Sequence, residues 1–465
     1  MAVQKQDTIE INKRRISSFL NTEVRDFAKY VIETRACPSI MDGLKLGARK
    51  IVWAALNGDL KNQAKVKMPS LIGDVFKLHY NHGDASLVNT VVQLCSTHTY
   101  KYAPLEVVGQ IGTLRVPKCD TAPRYLHVKK SPYLDFFKTD TELLERLTDD
   151  GDLVEPKYFL PIIPIVLLWR TNSPGFGFSF RSFSYGLDSV IDNCLKSITQ
   201  GSCSNDIDEI PLIPFVVGIK PENMIYNGNK DSWYCVGEYT LNLQSDSLII
   251  NDLPYDVSFE AFDEHLHNLI EKQYINSFTD LSMDGKICYV VNFPKGRLQI
   301  LSSDKWKFFT TMKMFSKVIK NTLNCIDSDS KTILNFSTPY ELIDVFVKKR
   351  LVFYQKRKTR TMEVVSQDII DISNKIRFVS LIINDELIIN KRKIVDIKID
   401  LDKHKLPYDV LKMNIDKLTI EEIDKMEDKR DELTTYLEYI RITPITEMYV
   451  QDLVSFKAKY SKINI

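Results

Sequence analysis

No stretch of this 465-residue chain is both long and apolar enough to cross a bilayer. The longest apolar run, Phe159 to Trp169, is broken by prolines and falls short of the ~20 residues a spanning helix needs. The N-terminus is polar and charged, without the apolar centre of a signal peptide. These absences predict a cytoplasmic protein with no membrane partner. Eight cysteines are scattered along the chain with no C-x-x-C pair and no cysteine–histidine spacing of a zinc module, so reduced thiols are expected. The phosphate loop G-x-x-x-x-G-K-[ST] does not occur, and neither does an internal repeat. A charge excess is missing too. With 62 Lys and Arg against 61 Asp and Glu, any field that attracts nucleic acid has to come from uneven placement.

What is present is 44% hydrophobic residues, enough for two to four domains with their own cores. The segment from Lys101 to Lys130 is locally basic, with Lys101, Arg115, Lys118, Arg124, Lys129 and Lys130 against only Glu106 and Asp120. Within it, Gly109 to Tyr125 reads G-Q-I-G-T-L-R-V-P-K-C-D-T-A-P-R-Y. A glycine-rich turn, which lets backbone approach a ligand closely, leads there to cations and a tyrosine directly after an arginine. A tyrosine hydroxyl can attack phosphorus, but phenols titrate near a pKa of about 10, so the reaction needs neighbouring cations, a histidine or a metal. The plain alternative is a half-buried tyrosine with a solvated hydroxyl, one of 21 in the chain.

Five blocks in order decide between them. Arg35-Ala36-Cys37-Pro38 with Asp42-Gly43-Leu44-Lys45 and Arg49-Lys50, then Tyr80-Asn81-His82-Gly83-Asp84, then the Gly109–Tyr125 segment, then Val154-Glu155-Pro156, then Pro161 to Leu168 resemble the breakage-reunion region of the type IIA DNA topoisomerases. The chain is similar there to the C-terminal half of eukaryotic topoisomerase II and to the gyrase A subunit. Its length, and the lack of a long C-terminal extension, resemble the medium subunit of tailed-phage enzymes.

The resemblance implies that Tyr125 is the nucleophile toward a DNA phosphodiester, with Arg124, Arg35 and His82 as the other catalytic groups. It also implies that Lys45, Arg49 and Lys50 grip phosphates, with Arg115 and Lys118 as further DNA contacts. Asn81 departs from the family, where a second histidine or a proline is common. Phe176, in Gly175-Phe176-Gly177, takes the place of the family's intercalating isoleucine, with a core aromatic as its alternative role. Ala85 and Asn89 stand where bacterial relatives carry the serine and acidic residue that hold quinolones, so weak sensitivity is expected.

The family's carboxylate module for Mg²⁺ and its ATP site are absent. The implied arrangement is therefore a homodimer on double-stranded DNA, with partner subunits whose TOPRIM and ATPase domains bring Mg²⁺ and ATP. Readings outside this class are a non-catalytic DNA-binding and dimerisation protein and, less favoured, a recombination-initiating strand breaker.

The expected fold is multidomain α+β. Residues 1–150 would hold an N-terminal arm and a winged helix, since helical periodicity through Val24, Phe27, Val31 and Ile32 stops at Pro38, resumes at Ala48 to Leu56, and is followed by two more helices. Residues 151–335 would hold the wedge hairpin and an α/β tower, with a polar linker at Thr199 to Asp208. Residues 336–440 would form an antiparallel coiled coil, and 441–465 a tail that packs back. One seam runs through Met362, Val365, Ile369, Ile372, Ile376, Val379 and Ile383. The other runs through Ile423, Met426, Arg430, Leu433, Leu437 and Ile440 and is entered by the capping box Thr419-x-x-Glu422. Ile388 to Asn414 would cap the far end and dimerise as an exit gate. Two amphipathic helices in an ordinary core remain the alternative.

Overall fold

Before the first core element the chain winds through four contiguous helical segments, Ile16–Phe19, Leu20–Val24, Arg25–Val31 and Ile32–Ala36. The second and fourth are π-helical, and in the last of them Cys37 N reaches back to Ile32 O at 3.1 Å. The computed structural model describes residues 15–461 and 463, apart from 98–99, 113–120, 175–177, 205–209, 217, 228–231, 256, 284–285, 319–320 and 415–417. The expected contacts Arg115 and Lys118, and the wedge Phe176, lie outside the described residues.

Three helices and a small sheet follow. They are α1 (Leu46–Asn57), β1 (Val66–Lys67), α2 (Met68–Phe76), α3 (Asp84–Cys95), β2 (Leu105–Val108) and β3 (His127–Lys130). The sheet order is β1-β3-β2, antiparallel throughout, with Val128 of β3 opposite both Val66 and Val107. The helices form because apolar side chains recur on one face of each: Ile51 and Ala55, Leu71 and Val75, Leu87 and Val91 are all buried, as are Leu105 and Val128 of the sheet. Pro69 opens α2, where a missing N–H costs nothing, and Asp84 opens α3, where a carboxylate favours the helix dipole. This is a winged helix, the wing being the β2–β3 loop.

Beyond it, Thr171–Ser173 pairs antiparallel with Phe180–Ser182. The tower region holds a four-stranded antiparallel sheet, in spatial order Tyr239–Asn242, Ser247–Ile250, Tyr289–Asn292 and Ser277–Asp280. Helix Phe259–Glu271 presents Phe262, Leu266 and Leu269 to the same apolar core as Leu248, Ile250, Tyr289 and Val291. The polar stretch expected to be a linker opens exposed, at Thr199 to Gly201 where helix Leu187–Gln200 ends, but then turns inward. Ser197, Ser202 and Ser204 hydroxyls and Cys203 N all donate to Asp344, at 2.6 to 2.8 Å, and Cys203 is buried. Burial pushes the Asp344 carboxyl up, but these four donors overcome it and hold it at about 2.

The chain divides into two compact units, one of residues 1–348 and 456–465, the other of residues 349–455. In the first, the chain end docks on the aromatic turn Pro132–Phe137: Phe136 lies 4.9 Å, centroid to centroid, from both Phe456 and Tyr460, and Lys457 bonds Asp192 at 2.5 Å. The second is built on the part of the 45-residue helix Pro339–Ile383 from Lys349 onward and on Ile420–Ile442. Lys358 Nζ donates to Arg441 O and Thr443 O, whereas Phe378 and Val379 pack with Ile423 and Met426, so the two helices run antiparallel. Thr419 Oγ1 caps the second helix by accepting from Glu422 N at 3.3 Å.

Candidate nucleic-acid interface

Two buried ion pairs fix the loops from which the exposed groups project. Asp42 accepts from Arg49 Nε at 2.7 Å and Nη2 at 3.0 Å, from Leu44 N at 3.0 Å and from Phe159 N at 3.0 Å. Arg49 Nη2 also donates to Leu44 O at 3.0 Å. Gly43 is required at φ +69°, because a Cβ there would stand 2.6 Å from Val166 N. Lys50 Nζ donates to Glu155 Oε2 at 2.7 Å and to Leu78 O at 2.5 Å, tying α1 to the loop ahead of Tyr80. This corrects the expectation that Arg49 and Lys50 grip phosphates. Both are buried against carboxylates, and pulling either outward would strand a buried charge.

What these pairs support does face outward. Lys45, the residue before α1, is half-buried, and burial lowers its pKa, a Coulombic interaction with Cys37 opposing the shift. Arg35 sits exposed at the end of the last π-helical segment, its Cζ 6.0 Å from the Tyr30 ring centroid. Tyr80 and His82 meet edge to face, centroids 5.4 Å apart at 85°. Arg35, Lys45, Tyr80 and His82 all line one groove of about 1020 Å³.

The tyrosine arises from the wing. Pro123–Tyr125 is a 3-10 turn in which Tyr125 N bonds Ala122 O, and Leu126 just after it is buried, its carbonyl accepting from Met68 N at 2.9 Å. An anchored Leu126 leaves Tyr125 displayed, 65% exposed, with the Arg124 guanidinium 4.9 Å over its ring. Gly109 passes this turn at φ +132°, where a Cβ would come within 2.6 Å of Leu126 Cδ2. Arg124 and Tyr125 thus form one exposed pair on the wing, outside the lining that Arg35, Lys45 and His82 share.

Sequence reading missed three groups in that lining. Lys101 stands 4.0 Å over the Phe215 ring, and burial lowers its pKa. Arg170 stands 4.2 Å over the Tyr255 ring. Asp252 is buried, and burial pushes its carboxyl up to about 6. Lys101 was visible as the first cation of the basic segment; Arg170 and Asp252 come from distant stretches that only folding brings to the groove.

Mg²⁺ needs several oxygen ligands. The groove offers one carboxylate, Asp252, so the described lining of this chain does not build a site for it. His79, in the turn after α2, and Asp149 and Asp150, on the hairpin of Arg146–Asp149 with Asp152–Pro156, do bring ligand atoms within 4.8 Å of one another, but none of the three lines the groove, and exposed carboxylates need no ion to gather.

Comparisons with known proteins follow the same outline. The DNA topoisomerase 2 of Plasmodium falciparum is 28% identical over 88% of this chain, and the mitochondrial DNA topoisomerase 2 of Dictyostelium discoideum is 28% identical over 83%. The chain spans 29% of the length of each. The crystal structure of the Plasmodium falciparum topoisomerase II DNA-binding, cleavage and re-ligation domain superposes with a TM-score of 0.80, covering 95% of this chain and 65% of that one at 24% identity, which establishes the shared fold. The family model for the A subunit of DNA gyrase/topoisomerase IV matches residues 35–456, from the groove arginine to the helix that returns to the first unit, and the chain belongs to that family.

Proposed function

We propose that this chain cleaves and rejoins duplex DNA within a type II topoisomerase, with Tyr125 as nucleophile. The observation that carries the reading is the exposed Arg124–Tyr125 pair on the wing of a winged helix whose neighbouring groove gathers Arg35, Lys45 and His82. The Tyr125 hydroxyl gives up its proton, its oxygen bonds phosphorus, and the bond from phosphorus to the 3′ oxygen breaks. The 5′ phosphate is left on the tyrosine and a 3′ hydroxyl is released. Rejoining is the reverse, and bond energy is kept.

Arg124 and Arg35 neutralise charge on the phosphate and on the phosphorane, His82 takes part in the proton transfer, and Lys45 holds a flanking phosphate. Mg²⁺ and ATP come from partner subunits. The active form is a homodimer closed through the cap of the second unit, where Ile394, Val395, Ile399 and Tyr408 are exposed. An apolar surface of this kind on a lone chain favours a partner copy.

The test uses end-labelled duplex with Mg²⁺ and the reconstituted partner, stopped by denaturant. Protein on 5′ ends in wild type and none in Tyr125→Phe supports the reading. Equal attachment in both, or none in wild type beside a competent partner, favours the non-catalytic scaffold.

A further inference from the structure

From Ala85 to Thr97 the chain has no charged residue, although 26% of all its residues are charged. That stretch is most of α3, the second helix of the helix-turn-helix. Its inner face is Leu87, Val91, Leu94 and Cys95, all buried. On the other face Ser86 and Asn89 are exposed, Thr90 is half-buried beside them, and exposed Gln93 completes the row, at i, i+3, i+4 and i+7. Ser86, Thr90 and Gln93 line the same groove as Arg35, Lys45 and Lys101.

A solvated helix face ordinarily carries Lys and Glu, and a phosphate-gripping face carries Lys and Arg. This one has only hydroxyls and carboxamides, and the cations stand beside it on other elements. Charge for affinity and uncharged donors and acceptors for recognition are thus separated within one groove. We propose that Ser86, Asn89, Thr90 and Gln93 read base edges in the major groove of the duplex to be cut, so that the protein selects its cleavage sites partly by direct readout.

The chemistry of each side chain narrows what it reads. Asn89 and Gln93 carry amides that pair in bidentate fashion with adenine. Being four residues apart they are offset by about 6 Å along the helix, close to two base steps. Thr90 Oγ1 donates to Ser86 O at 2.9 Å, which commits its proton and leaves its lone pairs to accept from an amino group of adenine or cytosine. A major groove about 12 Å wide admits a helix of this kind.

The inference rests on the proposed DNA-cleaving reading, and the experiment separates the two. The chain alone is incubated with a randomised duplex library at fixed salt, and bound sequences are read for wild type, for Asn89→Ala with Gln93→Ala, and for Gln93→Lys. Wild type is expected to enrich a motif of a few base pairs, with about tenfold discrimination at each read position. The double variant flattens two positions, and Gln93→Lys, which keeps a long side chain and adds a cation, loses its adenine preference while its affinity rises. Binding by wild type without enrichment, or the same motif in every variant, overturns the inference and leaves the cleavage reading standing. Failure of wild type to bind duplex at all overturns both. Far-UV circular dichroism confirms that α3 is intact, the substitutions lying on the face away from its buried side chains.

Discussion

Replacing Arg49 by lysine separates two roles that sequence motif and structure assign to one residue. If Arg49 held a phosphate, lysine would serve nearly as well, since a phosphate accepts a point charge. In the structure the guanidinium instead makes two hydrogen bonds to Asp42 and one to Leu44 O, all buried, and Asp42 is also the acceptor for Leu44 N and Phe159 N. An ammonium cannot reproduce that fork. Losing two charge-assisted bonds at roughly 1.5 kcal/mol each gives about 3 kcal/mol, near the lower end of the cost of breaking a buried pair. Arg49→Lys is therefore expected to lower the denaturant midpoint clearly, while the slope of log affinity against log salt for DNA stays at the wild-type value. Lys45→Ala is the mirror image. Its midpoint moves little and its slope becomes shallower by about 0.9, as expected when duplex binding neutralises one phosphate fewer. An Arg49→Lys protein as stable as wild type, the outcome expected if the side chain only held a phosphate, would refute the assignment.

Gly109→Ala forces a Cβ into Leu126 Cδ2 at a φ that L-residues rarely adopt, so covalent attachment through Tyr125 should fall more than duplex affinity does, as read by denaturant-trapped cleavage beside binding. Asp252 holds its proton more tightly when folded, its pKa rising from an ordinary 3.8 to about 6, so its contribution to stability is fully present below pH 4 and is lost as pH rises through 6. At roughly 1.4 kcal/mol per pKa unit this comes to about 3 kcal/mol, and Asp252→Asn should remove that decline in urea titrations between pH 4 and 7; an unchanged pH profile would count against it. Ile399→Asp places a charge on the exposed cap of the second unit, and sedimentation should show the proposed dimer giving way to monomer with the circular dichroism spectrum unaltered.

Local periodicity carried most of the fold. The buried faces of α1, α2 and α3 and the seams of the two long helices follow spacings readable from residue type alone, and at every seam position the side chain is buried or half-buried. Thr419 likewise announces its capping role through Glu422 three residues on. What periodicity does not encode is which partner a charged residue meets across sequence. Lys50 finds Glu155 over 105 residues and Asp344 collects donors over more than 130, so a motif lysine reads as a ligand for phosphate and a serine-rich stretch reads as a linker until the fold supplies the partner. The motif D-G-L-K-x-x-x-R shows the consequence within a single block. Its aspartate, glycine and arginine build a buried brace, and its lysine faces the groove. A recurring motif marks residues that must stay together, and burial then decides which of them are free to touch DNA.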